Sequence, residues 1–548
     1  MSASSKKKLR HAEDTAKLTE RQIQEQKEAK KLNLYTTLFV TVLALLLVAA
    51  VTVGAINFVK GSGIRERNTI ALTVGEHQIS NAELNYFYVD SINNFVNNYG
   101  SYIALMGLDT SKPLDEQVVN EETGLTWADD FLTYCMEDAR SVYAMVDAAE
   151  AAGFTLTEEQ TAQADAVISN MEMYAMMYGY PDAETYLQAM YGSGASIESF
   201  KEYCTASILA SAYYAHYANS LTYEDSQLRA HEAEDYNKYS SYSFNYYYLS
   251  ASKFLEGGTT DEEGKTTYSD EEEAAALAAC EEAAKALTEE TITGADILDK
   301  HIGNLSINAE SETPVTSTAC DDYFAGSVLG VLSDWVTAEE RTEGDLTYIP
   351  STTNSTDEDG NETVTTNGYY VVFFRGSNDN TYPLADVRHI LVGFEGGTYD
   401  DSTGVTTYTD EEKQAAWTEA EELLAAWESG DATEDSFAAL ANEKSDDTGS
   451  NTNGGLYTRV YPGQKVETFD AWCFDDRASG DTGLVETDYG VHIMYYVGDS
   501  DINYRDYLIT NELMTQDTEA WYNAILEATT MTEGNTKYIR KDLVISGN

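Results

Sequence analysis

The sequence predicts an α+β protein with a single transmembrane helix, a helical module and two tandem domains, each an antiparallel sheet flanked by helices. An uncharged run predicts the membrane span. Near Ser241 the spacing of apolar residues changes from about 3.6 to about 2, which marks the passage from helices to strands. A segment that occurs twice beyond this point predicts the tandem pair. The expected segments are a basic tail at 1–33, the anchor at 34–59, the helical module at 64–238, the two domains at 240–378 and 383–500, and C-terminal helices at 501–548 that pack on the helical module.

The run at 34–59 holds no charged side chain and would measure about 39 Å as a helix at roughly 1.5 Å per residue, enough to span a bilayer. Lysine and arginine are frequent before it, so the amino end is expected in the cytoplasm. The chain is therefore predicted to be a single-pass protein of the cell membrane with its bulk outside the cytoplasm. A cleaved signal peptide is the alternative, which the long leader and the long apolar run disfavour.

The part beyond the anchor is strongly acidic. The whole chain has a net charge of −61, and residues 61–548 hold 23 basic side chains against 89 acidic ones. Such a surface repels phosphate backbones, so no nucleic-acid partner is expected. With 43% apolar residues and 40 tyrosines the chain is expected to fold. The five cysteines are scattered and are expected to be buried, although a Cys280–Cys320 disulfide stays open.

Helical spacing dominates the module that follows the anchor. Residues 70–80 alternate like a short strand pair around a glycine turn, and Ser80 with Glu83 predicts the cap of the next helix. From Thr126 to Tyr236 the pattern is helical. The stretch 171–180 is rich in methionine and tyrosine, which suits a surface that binds varied apolar segments. Ordinary packing between helices is the other interpretation of that stretch.

Two copies of one pattern follow. Residues 254–273 and 394–413 match almost position by position, through a Gly-Gly pair, a Thr-Thr-Tyr run and an acidic cluster. An Ala/Glu-rich helix comes next in each, at 271–288 and 411–428, and a glycine-initiated strand ends each copy. The shared spacing predicts one fold used twice.

The copies differ where chemistry is expected. Placing Leu249 opposite Leu391, and Gly368 opposite Gly490, puts tyrosines where the second copy has histidines. On this alignment Tyr247 stands opposite His389 and Tyr370 opposite His492. The first copy is therefore predicted to be a packing or substrate-holding module.

The second copy carries a series of motifs in a fixed order. They are the His389-Ile-Leu-Val strand, a helix ending at Gly430, Phe437 with Leu440, the Ser-Asp-Asp447 turn, the Gly454-Gly455 pair, Phe469 with Phe474, and Thr487-Asp-Tyr-Gly-Val-His492. Over 383–500 this series resembles the parvulin type of peptidyl-prolyl isomerase. The wider plan, with a helical module and tandem parvulin-like domains outside the cytoplasm, is similar to the PrsA and SurA foldases.

The resemblance implies a set of site residues. His389 and His492 would be the paired histidines beneath the prolyl site, Asp447 would take the acid position, and Thr487 would hydrogen-bond within the cluster. The substrate-binding residues would be Phe469 as the wall against the proline ring, Tyr457 where the family often has leucine, Lys465 where it often has methionine, and Phe474. Isomerisation meets a barrier of about 18–20 kcal/mol that arises from amide resonance, so neither a cofactor nor a metal is expected. A metal site built from both histidines and Asp447 is the open alternative.

The sequence therefore predicts a membrane-anchored peptidyl-prolyl isomerase that assists the folding of exported proteins. Its partners would be unfolded or partly folded exported chains with X-Pro bonds, whose uncatalysed isomerisation takes tens of seconds or longer. A non-catalytic holdase that uses parvulin folds as a scaffold is the principal alternative. A structural or adhesive surface protein is the third hypothesis.

Overall fold

The computed structural model describes residues 63–262, 264–356 and 362–545. Within these ranges, no helix combines the length and the apolar character needed to cross a bilayer. The predicted basic tail and the predicted anchor at 34–59 lie outside the described residues.

Helices account for much of the described chain. Many begin at a side chain that accepts a hydrogen bond from the backbone three residues later, as Ser80 does from Glu83 at 3.2 Å. Short 3-10 helices lie at Gly100–Met106, Leu114–Glu116, Tyr236–Tyr239, Ala251–Phe254, Ser306–Asn308 and Ala325–Ser327. The α-helices are α1 (Ile64–Asn68), α2 (Asn81–Tyr99), α3 (Trp127–Ala151), α4 (Glu158–Met177), α5 (Ala183–Tyr191), α6 (Ile197–Ser220), α7 (Asp225–Glu232), α8 (Asp270–Glu289), α9 (Ala295–Gly303), α10 (Gly330–Val336), α11 (Asp410–Glu428), α12 (Glu434–Lys444), α13 (Glu467–Cys473) and α14 (Tyr504–Ala528).

The strands form three sheets and three small hairpins in the described residues. All of their pairings are antiparallel. The strands are β1 (Ile70–Val74), β2 (His77–Ser80), β3 (Val118–Asn120), β4 (Leu125–Thr126), β5 (Ser241–Ser250), β6 (Thr259–Thr260), β7 (Thr266–Thr267), β8 (Thr318–Phe324), β9 (Leu346–Thr356), β10 (Glu362–Asn378), β11 (Pro383–Gly393), β12 (Thr398–Asp400), β13 (Val405–Thr407), β14 (Leu456–Val460), β15 (Thr482–Thr487), β16 (Gly490–Asn503) and β17 (Met531–Glu533).

The chain divides into two compact units, and the first is discontinuous. It consists of residues up to Thr222 together with those from Leu513 onwards. Its core is unusually rich in tyrosine, with Tyr86, Tyr88 and Tyr186 fully buried. The chain end belongs to this core, because β17 pairs with β1 and Ile539 and Ile545 are buried among the helices. Beyond α14 the described residues 529–545 contain β17 and turns, and no further α-helix.

The second unit runs without interruption from Tyr223 to Glu512 and contains two four-stranded sheets. Their strand orders are β8-β5-β10-β9 and β14-β11-β16-β15. In each half the chain passes from a first central strand through a small hairpin and two helices to an edge strand. It then passes through a short helix and the other edge strand to the second central strand. The two halves thus share one connectivity.

The two faces of each sheet are both buried. In the second sheet Ile390, Val392 and Ile493 face α11 and α12, whereas Val387 and Met494 face α13. In the first sheet the equivalent faces pack on α8 with α9 and on α10. Alternation along the strands separates the two sets.

The strand register in the two sheets shows that the alignment of Leu249 with Leu391 is wrong by one residue. Gly368 pairs with Ser250 in the first sheet, as Gly490 pairs with Gly393 in the second, so Tyr246 and not Tyr247 stands opposite His389. Tyr247 packs towards α8, on the other face of the sheet. The error arises because a slip of one residue moves a strand side chain to the opposite face.

The paired small hairpins begin in the same way. Gly258 and Gly397 have φ values of +82° and +80°, and a Cβ on either would lie 2.7 or 2.8 Å from the ring of the tyrosine that follows its hairpin. Their backbone N–H groups donate to Glu272 and Glu412 at 3.0 and 2.9 Å. Each glutamate also accepts from the N-cap residue of its helix, so one carboxylate fixes both the hairpin and the helix start.

All five cysteines are buried and none forms a disulfide. Cys280 lies on α8 in the core of the first sheet and donates to the carbonyl of Leu249. Cys320 lies on β8 and faces the other side of that sheet. The predicted burial is confirmed, and the Cys280–Cys320 bond that the sequence left open is absent.

Candidate active site

The two predicted histidines lie on neighbouring central strands and on one face of the second sheet. His389 is on β11 and His492 on β16, where Leu391 pairs with His492. Their Nδ1 atoms are 2.9 Å apart and their ring centroids 5.1 Å apart. Both are buried, with 2% and 6% of their surfaces exposed. Two imidazoles separated by 103 residues of sequence therefore share a hydrogen bond.

Asp447 reaches the same cluster from the loop after α12. Its Oδ2 is 2.9 Å from His389 Nε2 and 2.9 Å from the Tyr457 hydroxyl, and it also accepts from the Ser450 hydroxyl. The loop is tied to β11, because the Asp446 N–H donates to the carbonyl of Leu391 at 2.9 Å. Three donors thus converge on one carboxylate oxygen.

Thr487 ends the chain of hydrogen bonds on the far side. Its Oγ1 is 2.9 Å from His492 Nε2 and accepts from the N–H of Tyr489 at 3.1 Å. A carboxylate only accepts, so the Nε2 of His389 carries a proton that it donates to Asp447. With neutral imidazoles, His492 Nδ1 then donates to His389 Nδ1, and Thr487 donates to His492 Nε2. The geometry leaves one proton arrangement for the neutral pair.

Burial and charge set the protonation of this cluster. Burial disfavours the imidazolium of His492, and the neighbouring His389 acts in the same direction, so the pKa of His492 is lowered to about 3. Burial alone would raise the pKa of Asp447. The hydrogen bonds from His389, Ser450 and Tyr457 outweigh it and hold that pKa well below its usual range. At neutral pH the cluster therefore holds a carboxylate beside a neutral His492.

The Gly-Gly pair allows two parts of the chain to approach closely. Gly455 has φ +68°, and a Cβ there would lie 2.0 Å from the carbonyl oxygen of His389. The His389 N–H donates to the Gly455 carbonyl at 2.8 Å. Arg388, almost fully buried, donates to the carbonyl of Gly454 at 3.0 Å and pairs with Glu434. These contacts fix β11 against the loop that leads to Tyr457.

Aromatic rings surround the two imidazoles. Phe469 on α13 is buried, and its ring lies nearly perpendicular to those of His389 and His492, with centroids 5.5 and 5.4 Å away. The ring of Tyr457 stacks on His389 at 5.2 Å. The Lys465 Nζ lies 3.5 Å from the centroid of Tyr457. Phe469, Tyr457 and Lys465 therefore lie together at the cluster, and their roles in binding stay predictions.

Phe474 has a different position. It packs against the same apolar cluster as Phe469, but the ring that it contacts is that of Tyr382, with centroids 6.4 Å apart. Sequence reasoning did not identify Ser450, which is fully buried and bonds both Asp447 and His389. Its position three residues after an aspartate in a Gly-Ser turn is the available signal.

The described residues contain no group of three or more His, Cys, Asp and Glu side chains placed to hold a metal ion. In the cluster, the imidazole nitrogens bond to each other, to Asp447, to Ser450 and to Thr487. The alternative of a metal site at His389, His492 and Asp447 therefore gains no support.

Part of this chain is similar in sequence to known proteins. Residues 374–498 match the family described as the PPIC-type PPIASE domain. Foldase protein PrsA 3 of Bacillus cereus is 43% identical over 58 residues, which cover 11% of this chain and 20% of that protein. Foldase protein PrsA 1 of Listeria innocua is 40% identical over 62 residues, which cover 11% and 21%. The matched part is thus about a fifth of the length of these relatives.

A crystal structure of peptidylprolyl isomerase (PrsA) from Bacillus anthracis is 19% identical and covers 27% of this chain and 59% of that one. The TM-score of this comparison is 0.17. The family match covers the whole motif series, from His389 to His492. The predicted resemblance to parvulin-type isomerases and to PrsA foldases is therefore confirmed, with residues 374–498 matching the PPIC-type domain.

Proposed function

We propose that this protein is a peptidyl-prolyl cis-trans isomerase that assists the folding of exported chains. The family match of residues 374–498 supports the reaction class. The observation that carries the proposal is the buried chain of hydrogen bonds from Asp447 through His389 and His492 to Thr487, beside the ring of Phe469. This is the set of residues that the parvulin resemblance assigned to the prolyl site.

The reaction requires only that the site bind a twisted X-Pro amide better than either planar form. The ring of Phe469 would pack against the proline ring, and the stacked Tyr457 would bound it on the side of His389. The hydrogen-bonded cluster would fix the polar floor of the site. Because its donors and acceptors are already paired, it would not have to reorganise as the amide rotates. No proton leaves or joins the substrate.

The first sheet is proposed to be a catalytically silent copy of the same domain. Its strand order and connectivity equal those of the second sheet. In place of the two imidazoles it has Tyr246 and Tyr370, whose ring centroids are 5.9 Å apart. Ile349 stands where the second sheet has Val485. The described residues of this half hold no counterpart of the histidine pair, so it would serve packing or substrate holding.

The site of action is proposed to lie outside the cytoplasm, with residues 34–59 as a single membrane anchor and residues 64–238 as the module that meets unfolded chains. The uncharged run and the basic residues before it support the anchor. Exposed Met173, Met176 and Met177 on α4 support a surface for apolar segments.

A refolding assay tests the function. The full chain is added to a client protein whose refolding is limited by a prolyl bond, and the slow phase is compared with that of the double variant His389→Ala/Asp447→Ala. We expect acceleration by the wild type and its loss in the variant, because the variant removes the pair that orders the cluster. Thermal unfolding of both proteins checks that the second unit still folds.

The first sheet supplies a matched control. Tyr246→Phe/Tyr370→Phe changes the equivalent positions and should keep the acceleration. Equal slow phases for the wild type and the double variant would overturn the enzymatic proposal. If the wild type suppresses aggregation of the client without any acceleration, the protein behaves as the holdase that the sequence left open.

A further inference from the structure

The two positions at which the site departs from the family pattern contact each other. Tyr457 and Lys465 stand where the family often has leucine and methionine. In this chain the Lys465 ammonium lies 3.5 Å from the centre of the Tyr457 ring, a cation–π contact. This chain thus has an aromatic ring and a charge, which stabilise each other, at two positions where the family often has apolar side chains.

The position of Lys465 is set by its backbone. Asp470, only 8% exposed, accepts from the N–H of Gly463 at 2.6 Å and from the N–H of Lys465 at 3.2 Å. Burial raises the pKa of Asp470, and these two donors and the Lys465 charge act against that shift. The loop before α13 is therefore held at the carboxylate, and the lysine side chain extends from a fixed point.

The ammonium lies at the border of the candidate prolyl site. The Tyr457 ring beneath it stacks on His389, and the Tyr457 hydroxyl bonds Asp447. Phe469, the expected partner of the proline ring, lies against the same imidazole. A peptide whose proline packs on Phe469 would place its neighbouring residue within reach of a positive charge on the Tyr457 side.

We propose that Lys465 is a specificity-determining residue, which favours X-Pro bonds whose residue before the proline is aspartate or glutamate. The inference rests on the proposed function and narrows its substrate class. A carboxylate at this place forms a charge-assisted hydrogen bond with the ammonium, whereas a neutral side chain of equal size does not.

The charge of the surrounding domain acts in the opposite direction. Residues 383–500 hold 25 acidic and 6 basic side chains, which repel an acidic peptide at long range. Beyond about 8 Å this repulsion is largely screened at physiological ionic strength. It is also nearly the same in any variant of Lys465. A comparison between variants therefore isolates the local contact.

The test is a cycle of two peptides and two proteins. The peptides are succinyl-Ala-Glu-Pro-Phe-p-nitroanilide and its Gln analogue, which differ in charge but hardly in size. The proteins are the full wild-type chain and Lys465→Met, which restores the residue that the family often has. The measured quantity is kcat/KM for each pair in a protease-coupled isomerisation assay.

We expect the Glu/Gln ratio of the wild type to exceed that of Lys465→Met by about two- to five-fold, the range that a partly exposed ion pair gives. Lys465→Arg should keep most of the difference. Equal ratios while both peptides are still accelerated would overturn this proposal and leave the proposed function standing. If the wild type accelerates neither peptide, the proposed function falls and the preference falls with it.

Discussion

At the scale of single residues, Asp447 has the largest influence on the candidate site. Its Oδ2 accepts from His389, Ser450 and Tyr457, and this fixes which nitrogen of each imidazole carries a proton. If the carboxylate were exposed to solvent, water could replace the hydrogen bonds that Ser450 and Tyr457 donate to it. Here the carboxylate is four-fifths buried, so water would not fully replace a lost donor.

His492 should make the stability of the second unit depend on pH. Its pKa is lowered to about 3 in the folded chain, against about 6.5 when unfolded. Between these values the unfolded state binds the extra proton, so the contribution is complete above pH 6.5 and is lost as pH falls towards 3. We expect the free energy of unfolding to fall by up to about 1.4 kcal/mol per pH unit in this window.

Denaturant unfolding at several pH values between 4 and 7 measures this slope. His492→Gln should flatten it, whereas His301→Gln, which changes a histidine of α9 in the same unit, should not. An unchanged slope in His492→Gln would contradict the assignment of the lowered pKa to this residue.

At the scale of elements, the hairpins β6–β7 and β12–β13 show how sequence fixes local geometry. Gly-Gly, a tyrosine after the hairpin and a glutamate in the first helical turn occur together in both copies. The structure shows why: Gly397 lies against Tyr408, and its N–H is bonded to Glu412. The glycines are needed both for the positive φ and for the space.

Gly397→Ala tests that pairing. An added Cβ would lie 2.6 Å from Thr406 and 2.8 Å from Tyr408, at φ +80°. The matched control is Gly404→Ala, with φ +70° and its nearest neighbour 3.9 Å away. Both variants incur the backbone strain, but only the first is also overpacked. We expect Gly397→Ala to lower the free energy of unfolding by about 1–3 kcal/mol more than Gly404→Ala, measured by denaturant titration. Equal losses would contradict the close contact.

The sequence predicted the two Ala/Glu-rich helices and the central strands of the second unit, and the residues of the cluster. The helices expected at 271–288 and 411–428 are α8 and α11, within a residue at the ends where they differ. The sequence could not predict the strand register. Because Tyr246-Tyr247-Tyr248 has a tyrosine on both faces of the strand, it does not show which tyrosine stands opposite His389. Ser450 was also not predicted, because the sequence of a turn does not show whether its serine faces solvent or a buried carboxylate. Tyr457 and Lys465 stood eight residues apart, and only the fold shows their contact.

At the scale of the whole molecule, Arg505 joins the parts of the second unit. It is 1% exposed, forms an ion pair with Glu232 of α7 and donates to the Asp379 carbonyl and the Ser240 hydroxyl. Its guanidinium also lies 3.9 Å from the ring of Tyr236. One side chain at the start of α14 therefore connects α7, the approach to the first sheet and the linker between the two sheets.

Replacing Arg505 should lower the free energy of unfolding. Arg505→Met would leave Glu232 buried with only Arg229 as a cationic partner, and we expect a loss of about 3–5 kcal/mol in the free energy of unfolding. The double variant Arg505→Met/Glu232→Met should lose less than the single one, because no charge remains buried without its partner. Chemical denaturation of the wild type, Arg505→Met, Glu232→Met and the double variant gives the coupling energy. Equal losses in the single and double variants would contradict this account.

The strand β17 has a consequence for the order in which the protein can form. The first unit needs β17 beside β1 and Ile545 in its core, whereas the second unit is one uninterrupted stretch. The chain is synthesised from its amino end. The whole second unit is therefore available before β17, which the first unit needs beside β1, has been made. The part that resembles a folding catalyst thus becomes able to fold while its own protein is still incomplete.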